Sequence, residues 1–238
     1  MSDGNRKAEQ ERAARLAGAM YLIQMATGVF TQIYARGSLI VRGDPTQTAR
    51  NIMDSEALFR IGIASDLATY TAVLIATWAL YVLLRPVNRS LALLAVMFRL
   101  MELAIHFNAT VDSLGVLRVL SGAQYLKSLD SVQLHSMAQL ALGVQGEAVN
   151  MGFILLGLGS AVFAFLLFKS QFIPRLLACW GVFASLLIAA YALSTIVFPM
   201  AAALQVVPML PMGLYEVSLG VWLLLKGAKI EPSGTRSA

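Results

Sequence analysis

The strongest constraint on this chain is a near absence of charge: between Ile61 and Leu84 the one charged residue is Asp66, and between Leu176 and Leu225 it is Glu216. A helix of about 20 apolar residues matches the roughly 30 Å hydrocarbon core of a bilayer. In lipid a backbone must satisfy its own polar groups, which a helix does within one segment. The chain is therefore expected to be an all-α, polytopic transmembrane bundle. Composition agrees: 58% of the 238 residues are hydrophobic and 13% charged, against about 25% charged in an average soluble domain. The single cysteine, Cys179, excludes an internal disulfide, and it lies in an apolar run where it reads as lipid- or core-facing packing.

Cutting the sequence where charge, proline and turn residues interrupt the apolar runs gives six spans, near Leu16 to Ala35, Leu58 to Leu84, Leu91 to Thr110, Gly146 to Phe168, Leu176 to Phe198 and Met209 to Leu225. The basic residues then separate by side. Arg6, Lys7, Arg12, Arg15, Arg85, Arg89, Lys169, Arg175, Lys226, Lys229 and Arg236 fall on one side, and Arg36, Arg42, Arg50, Arg118, Lys127 and Arg60 on the other. This asymmetry predicts both termini in the cytoplasm. It divides the chain into a basic N-terminal segment (1–15), a six-span bundle (16–226) and a cytoplasmic tail (227–238). The net charge of +5 is thus topological, and because the basic residues are divided among short loops, nucleic acid is excluded as a partner. The first stretch is expected to be a span and not a cleavable signal peptide, being longer than a signal's apolar region and lacking a small-residue cleavage pattern.

The linkers carry local instructions. In Arg85-Pro86-Val87-Asn88-Arg89, Pro86 stops one helix and Asn88 or Ser90 can cap the next. Gly43-Asp44-Pro45 reads as an N-cap with proline in the first turn, predicting a short interfacial helix over Thr46 to Ile52, after which Ser55 caps the second span. Val111 to Leu120 and Ser131 to Gln145 are expected to continue as helix past the apolar core, so that short helices and a hairpin cover the outer face. Gly157 and Ala161 form a small-xxx-small pair suited to close helix contact.

Ionisable residues inside apolar helices are costly and mark places of interest. On the third span Arg99, Glu102 and His106 stand at i, i+3 and i+7 and share one face. The helical rise puts Arg99, Glu102 and Glu216 all roughly 14 to 18 Å above the cytoplasmic end, so the three can meet. One reading is a buried ion pair clamping spans three and six. The other is a proton or anion site, since a proton shared by a Glu pair beside Arg serves proton-coupled or acid/base steps. A second group, Asp66, His106 and Asn150, lies roughly 24 to 28 Å above that end, with Glu147 and Arg60 a little further out. These are the right types for a metal or for an intramembrane hydrolase, since carboxylates orient an imidazole and a bound cation activates water, but a lone histidine falls short of a zinc site, so no metal is expected and no pattern names a cofactor. Tyr21, Tyr81, Trp180 and Trp222 read as headgroup-layer aromatics near span ends, Tyr215 as packing, and His135 as a solvated or loop-packing residue.

Several strings also resemble a known family. Arg36-Gly37-Ser38-Leu39-Ile40-Val41 with Gly43-Asp44, Leu58-Phe59-Arg60-Ile61-Gly62 with Asp66-Leu67, Leu80 to Asn88 with its Arg-Pro-Val-Asn turn, and Phe98-Arg99-Leu100 with Glu102 are similar to the bacterial family known as domain of unknown function 4386. The resemblance runs from about Leu16 to Ile230. It implies a six- or seven-span bacterial inner-membrane protein and brings no assigned activity. Arg60, Asp66, Arg99 and Glu102 match its charged motifs.

Three functions compete. The preferred one is an integral membrane protein that binds or transports a small polar or amphipathic molecule, or a lipid, through the charged cluster. The absence of an internal repeat weighs against it, because many secondary transporters carry one. The second is a structural subunit of a membrane assembly, with a membrane-protein partner. The third is an intramembrane acid/base enzyme acting on a lipid-like substrate through His106 with Glu102 or Asp66, although no nucleophile elbow or phosphate loop supports it.

Overall fold

The computed structural model describes residues 3–122, 124, 128–198 and 206–229. Lys127 and Arg236, counted above for topology, lie outside the described residues, as do positions 1–2 and 230–238 of the terminal segments. Among the described residues the regular elements are helical. α1 (Asp3–Val29) runs into a π-helical segment (Phe30–Arg36) and a single turn, α2 (Gly37–Leu39). Then follow α3 (Pro45–Asp54), α4 (Glu56–Leu84), α5 (Arg89–Leu120), α6 (Ser131–Ser170), α7 (Arg175–Val197) and α8 (Val206–Leu225). Six helical stretches among the described residues are long and apolar enough to cross a membrane: Gly4–Leu39, Glu56–Leu84, Arg89–Leu120, Ser131–Ser170, Arg175–Val197 and Val207–Leu225. They coincide with the six expected spans, though most are longer than the apolar cores that announced them.

Local chemistry sets the breaks. Asp44 Oδ1 accepts the Gln47 N–H at 2.8 Å with Pro45 in the first turn, which starts α3. Ser55 joins two helices through its backbone, donating its N–H to the Asn51 carbonyl at 3.0 Å and accepting from the Phe59 N–H at 3.2 Å. Of the two candidate caps for α5, Asn88 is used: its Oδ1 accepts the Leu91 N–H at 2.9 Å, while Ser90 lies inside the helix. Gly227, at φ +67°, adopts the left-handed conformation just past the end of α8.

The chain forms two compact units. The first comprises Met1–Met25, Ala72–Leu103 and Phe153–Ala238, and the second Ala26–Thr71 and Ala104–Gly152. In the first, buried alanines such as Ala14, Ala17, Ala79, Ala92 and Ala184 alternate with Leu83, Leu166, Leu219 and Leu223. Small residues let helix backbones approach, the main source of contact where lipid removes the hydrophobic drive between helices. A Cβ on Gly18 would stand 2.5 Å from the Leu224 backbone nitrogen and 2.7 Å from the Gly220 carbonyl, so α1 and α8 touch backbone to backbone. The Gly157 and Ala161 pair of α6 has its close contact as well, with Gly157 against Ser185 and Ala189 of α7. The second unit packs around Leu39, Ile52, Phe59, Ile63, Val116, Leu117 and Leu142.

The surface completes the assignment of solvent. Leu176, Ile33 and Leu225 are 83%, 72% and 71% exposed, among dozens of outward-facing large apolar side chains. A water-soluble protein rarely exposes so much contiguous apolar surface, and a bilayer requires it. Cys179 faces outward with them.

Candidate functional site

The first unit holds a charged cluster built from three helices. On α5 the i, i+3 spacing brings Arg99 Nη1 to 2.8 Å from Glu102 Oε2, with the side chains 5% and 2% exposed. Gly159 of α6 makes room for this pair, since a Cβ there would lie 3.0 Å from Arg99 Cγ. Glu216 of α8 is buried within the electrostatic reach of both, and its carboxylate accepts a hydrogen bond from the Gln24 side chain of α1. Tyr21, one turn before Gln24, is buried in the field of the same three charges. Tyr215 packs its ring against Gly181 of α7, where any Cβ would overlap it. The cluster therefore sets one guanidinium against two carboxylates in a site closed to bulk solvent. Such a set is short of one positive charge, and an uncompensated charge in lipid is expensive.

The second unit holds the other predicted residues, and these divide among separate partners. Asp66 Oδ2 is 2.6 Å from Arg36 Nη2, with side chains 6% and 12% exposed. The Thr31 hydroxyl is within reach of the Thr27 and Gly62 carbonyls at 3.1 and 3.3 Å and of the Asp66 carboxylate. His106 stacks on Tyr70 with ring centroids 5.5 Å apart. Its Nε2 lies 3.2 Å from the Val149 carbonyl, which can only accept, so this nitrogen carries the proton. A Cβ on Gly152 would overlap the imidazole, so α6 lays bare backbone against the ring. Asn150 is half-buried on α6, and Glu147 is exposed on the same helix. Arg60 is exposed and pairs with Glu56 at 2.6 Å one turn away. His135 Nδ1 lies 3.4 Å from Thr46 Oγ1. Among the described residues no three His, Cys, Asp or Glu side chains converge as a metal site would require.

Three contributors escaped the sequence. Arg36 counts in the sequence as an outer-side basic residue just past the expected end of the first span at Ala35, and at 3.6 residues per turn it would lie roughly 140° around the helix from Thr31. The wider winding of the π segment, with its i to i+5 bonding, brings positions 31 and 36 toward one face, and Arg36 reaches Asp66. Tyr21, expected in the headgroup layer, is instead 5% exposed in the core, since α1 begins at Asp3 and the tyrosine is well inside it. Gln24 went unread although a signal existed: Ala14, Ala17, Tyr21 and Gln24 stand at i, i+3, i+7 and i+10 on one buried face, where an amide demands a partner.

Six helices among the described residues that are long and apolar enough to cross a bilayer, with buried charges in each unit, define a multi-pass α-helical membrane protein. The chain belongs to the family described as a domain of unknown function (DUF4386), which it matches over residues 16–227. Comparison with curated proteins and with solved structures gave no match.

Proposed function

We propose that this is a bacterial inner-membrane protein that binds and transports a small polar or amphipathic cation at the Arg99, Glu102 and Glu216 cluster. The observation that carries the reading is the charge count: one buried guanidinium faces two buried carboxylates. The missing positive charge can be supplied by a proton or by a cationic ligand, and exchange of one for the other is a means of coupling movement to a proton gradient. The surrounding Tyr21, Gln24 and Tyr215 offer polar atoms and ring surface to an organic cation.

The other readings have less behind them. An enzyme working through His106 would need a mobile proton on a ring that is stacked, backed by Gly152 and bonded to a carbonyl. A partner subunit would use close-packing small residues such as Gly157 as its interface, and Gly157 is occupied by α7 within this chain.

The test is a thermal-shift screen of organic cations and anions against purified protein, with Glu216→Gln as the isosteric variant. Selected cations should raise the melting temperature of the wild type and lose that effect in the variant. Stabilisation by anions alone, or equal stabilisation of the variant, would end the proposal.

A further inference from the structure

A cavity of about 430 Å³ opens in the first unit beside the turn that joins α4 to α5. Three arginines line it, Arg6 from α1, Arg85 from the turn and Arg89 from the first turn of α5, against the single carboxylate of Glu9. Glu9 is already engaged, its Oε1 lying 2.9 Å from Arg85 Nη2. Arg6 and Arg89 have no carboxylate partner among the described residues. The opening is held in shape, because Gln10 Nε2 donates to the Leu83 carbonyl at 3.0 Å and the Arg85 pair adds a second tie between α1 and the end of α4. The start of the 32-residue α5, where Arg89 stands, adds the positive end of a long helix. Tyr81 and the buried Val82 supply apolar lining.

We propose that this cavity binds the phosphate of an anionic phospholipid headgroup. Guanidinium groups recognise phosphate oxygens in paired hydrogen bonds, and two of the three here are free to do so. A turn between two membrane spans lies at the bilayer surface, where headgroup phosphates are abundant, and basic pockets bounded by spans are suited to them. Apolar lining beside the arginines fits the glycerol and first methylenes of a lipid, which free phosphate lacks. This site is separate from the intramembrane cluster and does not depend on its function.

The experiment is native mass spectrometry of the full-length protein in mild detergent, titrated with phosphatidylglycerol, phosphatidylethanolamine or inorganic phosphate. It compares wild type with an Arg6→Gln, Arg89→Gln variant and with an Arg42→Gln, Arg50→Gln control, all four side chains being exposed and their loss compatible with folding. Phosphatidylglycerol should be retained in preference to phosphatidylethanolamine. The pocket variant should weaken that retention about 30-fold, from about 1 kcal/mol per basic residue at an anionic surface and 1.4 kcal/mol per tenfold. The control should stay close to wild type, and inorganic phosphate should fail to displace the lipid. Equal weakening in both variants would reduce the effect to diffuse charge, displacement by inorganic phosphate would make free phosphate the occupant, and unchanged retention would remove the site; each overturns the proposal.

Discussion

At the scale of single residues, buried charge is what organises this protein, and its pairing was only half readable. Arg99, Glu102 and Glu216 were legible because ionisable residues stand out against apolar helices, and helical rise fixes their depth. Arg36 was hidden because its role depends on a non-α winding that composition does not announce. Removing one member of its pair should be costly. Arg36→Leu leaves the Asp66 carboxylate buried and unpaired, which typically costs about 3 to 5 kcal/mol, whereas replacing both partners with apolar residues is often nearly neutral. Thermal unfolding in detergent should therefore show a large loss for Arg36→Leu and a clear recovery in the Arg36→Leu, Asp66→Leu double variant. A double variant as unstable as the single would mean that the pair holds more than its own charge.

At the scale of elements, span number and most boundaries followed from apolar run length and turn chemistry. The Asp44-Pro45 start and the Asn88 cap appear where the sequence put them, since a side-chain acceptor and a missing N–H act within one turn. Which helices touch was less legible, because a glycine in sequence does not reveal what faces it. Gly18 and Gly146 make the contrast: a Cβ at Gly18 meets the Leu224 backbone at 2.5 Å, while nothing lies within 4 Å of one at Gly146. Gly18→Ala should lower the melting temperature through overpacking worth about 1 to 3 kcal/mol. Gly146→Ala should leave it unchanged or slightly raised. Equal effects of the two would contradict the close crossing of α1 and α8.

At the scale of the whole molecule, the six spans among the described residues and a marked asymmetry of basic residues give one expected orientation. Reporter fusions in the Arg85 to Arg89 turn and in the turn before Arg175 should report the cytoplasm, and one between Arg42 and Arg50 the opposite face. The reverse pattern would invert the topology and move the arginine-lined cavity to the other leaflet. Function was the least legible property, since a charge count names a class of ligand and no single residue names the molecule. The most direct measurement is native mass spectrometry with small-molecule and lipid identification on protein purified from its host, comparing wild type with a folded Glu216→Gln variant, in which one guanidinium faces one carboxylate. A bound cationic molecule present in the wild type and lost from the variant is the predicted result. Identical bound species in both proteins would show that the buried cluster holds helices together and binds no ligand.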